Sequence, residues 1–191
     1  LIREVRRVFP GKLSYSSNWD HYKIVEFWDE LDLIGMTSYY KLSFEPRPSL
    51  ETLVEAWKPI RRGLLRWQKE IGKPLLFTEV GWCSQEGASI EPWNYYHDQT
   101  PTAAGHEEQA RCYRAFMETW KDDIGKGDDS VVGGAIWWEW MNVPGGPKDY
   151  NYIPKGKPAE VELRKWFARI RQDRASLVRK PTLGADKAAT P

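Results

Sequence analysis

Apolar positions along the chain switch between the helical period and the alternating period of strands, so that the two patterns succeed one another from end to end. Leu1-Ile2-Arg3-Glu4-Val5-Arg6-Arg7-Val8-Phe9 opens in a helical pattern and stops at Pro10-Gly11. A short strand is expected from Lys12 to Asn18. A helix follows over about Asp20 to Leu31, with Ile24, Phe27, Trp28 and Leu31 at helical spacing, and then a second strand from Leu33 to Tyr40. Pro46 and Pro48 mark a loop, and Ser49 is placed to cap the next helix. That helix carries Leu50, Leu53, Val54, Trp57, Ile60, Leu64 and Trp67 on one face and ends at Gly72. Pro59 is expected to kink or divide it, since proline lacks the N–H and clashes with the preceding turn. The third strand runs into Glu79. A long loop from Trp82 to Gly105 leads to a helix over about Glu107 to Lys121, striped by Ala110, Tyr113, Phe116, Met117 and Trp120. A fourth strand, Val131 to Trp140, is followed by Pro144-Gly145-Gly146-Pro147 and a last helix, about Pro158 to Gln172. From Asp173 to Pro191 the charged and small residues offer little to bury, so residues 173–191 are expected to form a disordered tail.

Strand–helix alternation implies parallel strands joined by helical crossovers. All four strands end in polar or aromatic residues: Asn18-Trp19, Tyr39-Tyr40, Glu79, and Trp138-Glu139-Trp140. Function spread over the C-terminal end of every strand is the habit of a (β/α)8 barrel, which typically takes about 250 residues. The 191 residues here supply four of its βα units, or half the ring. The first residue is Leu1 and the chain opens inside a helical pattern, as the back part of something longer would.

Composition narrows the partners. Lys and Arg total 28 against 27 for Asp and Glu, a net charge of +1, so nothing favours nucleic acid or an anionic membrane surface. No apolar stretch approaches the roughly 18 residues of a membrane span. Cys83 and Cys112 are read as free thiols, and they assign no compartment. His21, His97 and His106 are scattered and read as surface or loop residues. Eleven tryptophans and nine tyrosines point to a large core, a stacking surface, or both. Sugars offer flat C–H faces that pack on indole rings, which makes a saccharide one natural partner.

Within the third strand, Leu75, Phe77 and Glu79 share one face, so Phe77 and Leu75 are expected to fill interior layers beneath a Glu79 that points into the barrel mouth. A carboxylate there could be a nucleophile, a general base or a metal ligand. Metal is the weakest of these, because no His or Asp is spaced to join it, and no cofactor is expected. Glycoside cleavage fits better, since it uses a pair of carboxylates.

The runs Tyr15-Ser16-Ser17-Asn18-Trp19-Asp20, Leu33-Ile34-Gly35-Met36-Thr37-Ser38-Tyr39-Tyr40, Phe77-Thr78-Glu79-Val80-Gly81-Trp82, Trp137-Trp138-Glu139-Trp140 and Gly156-Lys157-Pro158-Ala159-Glu160 resemble the second half of a family 113 glycoside hydrolase. These are β-mannanase-like members of the retaining clan of (β/α)8 glycosidases, and the resemblance covers about residues 1–172. It implies that the four strands are barrel strands five to eight and that Glu79, at the tip of the seventh, is the nucleophile. It also implies that Tyr39 or Tyr40 orients that nucleophile, and that Trp138 and Trp140 form the platform under the sugar. Trp137 fits barrel core or site equally. Trp82, Trp93, Tyr95 and Tyr96 read as subsite walls, with Asn18 and Trp19 on the same rim and Glu139 binding substrate. In this clan the acid/base is a glutamate at the tip of strand four, usually after an asparagine, and no such strand is encoded here. Neither Glu139, which belongs to the Trp-Trp-Glu-Trp run, nor the loop residues Glu45 and Glu86 replaces it. The expected partners are a β-linked saccharide and either the other half-barrel or a second copy closing the ring. A non-catalytic saccharide-binding or scaffold protein on a partial barrel is the alternative.

Overall fold

The computed structural model describes residues 1–125 and 130–178. Its centre is a four-stranded sheet in the order β1 (Ser14–Ser17), β2 (Leu33–Thr37), β3 (Leu75–Val80) and β4 (Val132–Trp137), with every neighbouring pair parallel. Strands that lie side by side in chain order belong to a barrel-type sheet, whereas a doubly wound sheet reverses its order partway. The helices are α1 (Ile2–Val8), α2 (Leu50–Ile71), α3 (Ala103–Trp120) and α4 (Pro158–Val178), with α2 packed on α3 and α3 on α4. Among the described residues no helix is long and apolar enough to cross a membrane.

Four expectations change. The segment expected as a helix over Asp20–Leu31 forms only two 3-10 turns, Tyr22–Ile24 and Trp28–Glu30. The Trp28 indole N–H donates to the Tyr22 carbonyl at 2.9 Å, taking the acceptor that the amide of Glu26 would need in an α-helix. Pro59 does not divide α2, which runs unbroken from its Ser49 cap to Gly72 in the left-handed conformation. Leu53 and Trp57 before the proline and Leu64 after it are all buried, so packing outweighs the lost backbone bond. The last helix continues past Gln172 to Val178, so the expected tail begins later, and residues 179–191 lie outside the described residues.

The fourth change concerns which way β3 faces. Phe77 packs edge-on against Phe116 and Trp120 of α3, and Leu75 is buried with it in the same core. Both therefore face the helices and not the barrel interior. Thr78 takes the opposite face, where its Oγ1 lies 2.5 Å from Ser16 Oγ on β1. That contact passes over β2 at Gly35, where a Cβ would meet the Tyr15 carbonyl at 2.4 Å. The register then slips: Met36 pairs with Phe77, but Thr37 pairs with Glu79. This β-bulge sets two residues of β3 against one of β2, and it turns Glu79 off the helix-facing row.

Candidate active site

Glu79 is gripped from the tip of β2. The amide and the hydroxyl of Ser38 both donate to the Glu79 backbone carbonyl, at 3.0 and 2.9 Å. The next residue, Tyr39, donates its hydroxyl to Glu79 Oε2 at 2.7 Å. Tyr40 turns the other way, with its ring against Trp19 and Trp57 and its hydroxyl at 3.4 Å from the Trp19 carbonyl. Burial first, and then the hydrogen bond and charge of Glu79, raise the Tyr39 pKa well above the usual phenol range. Its hydroxyl therefore stays protonated and remains a donor.

Around this pair lies a cleft of about 400 Å³. Tyr39 and Glu79 share it with Trp93 and Tyr95 from the loop after β3, and with Trp138 and Glu139 just past β4. The peptide between Trp138 and Glu139 is cis. Trp138 is brought there by backbone contact: its amide donates to the Val80 carbonyl at 2.8 Å. A Cβ on Gly81 would fall 1.9 Å from the Trp138 carbonyl oxygen, so only glycine lets the ends of β3 and β4 approach this closely. Trp19 stands behind the wall, stacked on Trp93 with ring centroids 5.7 Å apart. Tyr96 pairs its hydroxyl with that of Tyr95 at 2.5 Å.

Other expected site residues lie elsewhere. Trp82 is fully buried between Trp57 and Tyr113, so it is core and not a subsite wall. The tight turn at Gly81 sends the chain inward at once. Asn18 and Trp140 are exposed and do not line the cleft. Trp137 stacks on Tyr113 at 5.0 Å, on the helix side of the sheet. Among the histidines, His21 and His97 are exposed, but His106 is buried and its Nε2 donates to the Asp149 carbonyl at 2.9 Å. Among the described residues no cluster of His, Cys, Asp or Glu is placed to hold a metal ion.

Two residues of the cleft escaped the sequence reading. Asn151 and Tyr152 complete its lining. The Tyr152 ring stands 6.2 Å from that of Tyr39, and its hydroxyl donates to the Pro92 carbonyl at 2.5 Å. The aromatic pair in Tyr150-Asn151-Tyr152, close after a strand tip, was the available signal. Glu108 was also missed. Fully buried on α3, its carboxylate accepts from the amides of Arg47, Gly87 and Ser89 and from the Ser89 hydroxyl, at 2.7 to 3.1 Å. It thereby ties the loop after β2 to the loop after β3. Nothing in a helical pattern distinguishes it from its neighbour Glu107.

The family model for Glycoside Hydrolase Family 113 matches residues 1–170. Among solved structures, the GH113 β-mannanase from Alicyclobacillus acidocaldarius is 30% identical, with a TM-score of 0.67 over 87% of this chain and 48% of its own. A second GH113 β-1,4-mannanase is 26% identical, with a TM-score of 0.65 over the same shares of the two chains. The β-glucuronidase from Ruminococcus gnavus, 16% identical with a TM-score of 0.53, covers 85% of this chain and 28% of its own and shares the fold alone. No curated protein matches. The chain thus spans about half the length of the two mannanases it resembles.

Proposed function

The chain belongs to glycoside hydrolase family 113, and on that footing we propose that it carries the nucleophile side of a retaining glycosidase site for β-linked, mannan-type saccharides. On this reading the four strands are strands five to eight of a (β/α)8 barrel, and residues 1–172, with the continuation of α4, are its C-terminal half. The observation that carries the proposal is the 2.7 Å hydrogen bond from Tyr39 to Glu79 Oε2 in a cleft walled by Trp93 and Trp138. It holds one carboxylate oxygen and leaves the other to react.

In the first step a Glu79 oxygen attacks the anomeric carbon, the glycosidic C–O bond breaks, and the leaving oxygen takes a proton from a second carboxylic acid. Water, deprotonated by that same group, then cleaves the glycosyl ester and restores Glu79. Trp138 packs under the sugar at the cleavage point, and Trp93, backed by Trp19, holds the neighbouring unit. Glu139 accepts hydrogen bonds from sugar hydroxyls. The acid/base belongs to strand four, on the part of the ring that these four strands leave open. The chain by itself therefore hydrolyses manno-oligosaccharides slowly or not at all, since losing acid catalysis costs on the order of 10²–10⁴-fold.

That deficit suggests the test. A fluoride leaving group needs no proton, so a 2-deoxy-2-fluoro-mannosyl fluoride should still esterify Glu79 in this chain. Peptide mapping is expected to find the added mass on the Glu79 peptide, and to find none in Glu79→Gln. Labelling at another carboxylate would overturn the assignment of the nucleophile. Saccharide binding that survives Glu79→Gln but is lost with Trp93 or Trp138, together with no labelling, would favour the non-catalytic reading.

A further inference from the structure

Behind the cleft wall lies a charged group that the proposed chemistry does not use. Lys157, just before α4, has a side chain with no exposed surface. Its Nζ donates to Ser84 Oγ at 2.8 Å, to Asp149 Oδ1 at 2.6 Å and to the Asn151 carbonyl at 3.0 Å. An ammonium has three N–H donors, and here each has an acceptor. Taking such a group out of water is unfavourable unless it is fully paired and hydrogen-bonded. The geometry meets that condition at a point where two functional segments meet. Ser84 follows the strand that carries Glu79, and Asp149 and Asn151 belong to the loop that follows Trp138 and Glu139.

Segment 149–152 is otherwise held by neutral groups. His106 and Gln109 of α3, Gln85 and the Ser84 hydroxyl bond its backbone carbonyls, the Ser84 amide donates to the Asn151 carbonyl at 3.1 Å, and the Tyr152 hydroxyl donates to the Pro92 carbonyl. Lys157 is the cation that also grips a side chain of the segment. On the opposite side of the segment, Asn151 and Tyr152 line the cleft, with Tyr152 against Tyr39. We propose that Lys157 is a positioning residue: its hydrogen bonds to Asp149 and Asn151, with the third to Ser84, fix segment 149–152 so that Asn151 and Tyr152 form the wall facing Glu79 and Tyr39. The inference rests on the glycosidase reading only for what that wall holds, a saccharide.

Cys83 offers a local probe. It directly precedes Ser84, one of the Lys157 acceptors, it is 2% exposed, and burial pushes its pKa up to about 12, whereas Cys112 is wholly buried on α3. In the full chain, Lys157→Met keeps the aliphatic stem and removes the donors, and Asp149→Asn keeps the shape and removes the charge. Thiol alkylation, resolved by site with mass spectrometry, is expected to speed up about tenfold or more at Cys83 in Lys157→Met, by local opening. Cys112 should keep its wild-type rate. Asp149→Asn should move Cys83 in the same direction by less, and manno-oligosaccharide affinity, read from tryptophan fluorescence, should fall in the same order. Wild-type labelling of Cys83 in both variants would overturn the proposal. If Lys157→Met exposes both thiols together, Asp149→Asn decides: selective labelling of Cys83 supports positioning, and its absence overturns it. A wild-type chain that binds no saccharide counts against the glycosidase reading, while the labelling rates still judge the tether.

Discussion

Replacing Tyr39 by phenylalanine removes one hydrogen bond and keeps the ring that packs on Tyr152. A hydrogen bond to a charged group is worth about 1.5–3 kcal/mol, so the rate of Glu79 esterification by the fluorinated mannosyl fluoride should fall about ten- to a hundredfold. The same change at Tyr40 should leave that rate nearly unaltered. Strand alternation could not choose between these tyrosines, because β2 ends at Thr37 and both lie in the turn beyond it. Gly81→Ala should act through the backbone, since its Cβ would meet the Trp138 carbonyl rather than a side chain that can swing away. A loss of about 1–3 kcal/mol, typical of overpacking, is expected in urea unfolding. Glu79 itself was legible as the one charge in its apolar strand, placed at the tip. Trp82 was misread for the complementary reason: its position in the sequence is that of a loop, and only the contact at Gly81 shows that the loop begins by turning into the core.

Among the elements, the long regular ones were readable and the short irregular ones were not. Helices α2 and α3 carry apolar stripes long enough to define themselves, and Ser49 and Thr102 cap them. The link from β1 to β2 has helical spacing too, yet one indole N–H at the Tyr22 carbonyl is enough to break so short a segment into turns. The two loops that frame the cleft depend on Glu108, whose partners lie 19 to 61 residues away and leave no local trace. Glu108→Ala would strand the buried amides of Gly87 and Ser89 and release that of Arg47. At about 1–3 kcal/mol for a buried donor left unpaired, the variant should lose several kcal/mol in urea unfolding. Protease should also cut faster within residues 86–100 than in α3, which limited digestion with peptide mapping would report.

At the scale of the molecule, the sheet has β1 and β4 as its two edges. On the face away from the helices, Ser14 and Ser16 are exposed, and so is Ile136, which is 55% accessible. Beyond Val132, whose amide donates to the Asp123 carbonyl, these parallel edges lie beside an uncovered face and invite pairing with another chain. The isolated chain is therefore expected to associate with rising concentration in sedimentation velocity, and Ile136→Lys should shift it towards monomer. A wild-type chain that stays monomeric and well folded throughout would contradict this expectation. The strand–helix alternation made the parallel sheet legible, and the site residues at all four strand tips favoured a barrel over a doubly wound sheet. What the sequence withheld was the inward face of β3, because a bulge one residue long reverses the parity on which such a reading depends.

Ser38 and Tyr39 have a consequence for anyone wishing to move this carboxylate. Glu79 takes its main-chain anchor from one of these neighbours and its side-chain orientation from the other, and both follow a different strand, β2. A transplant of β3 alone into a foreign barrel would carry the reactive group without its aim. The portable unit is a pair of strand ends, with the Ser-Tyr dipeptide as the part most easily left behind.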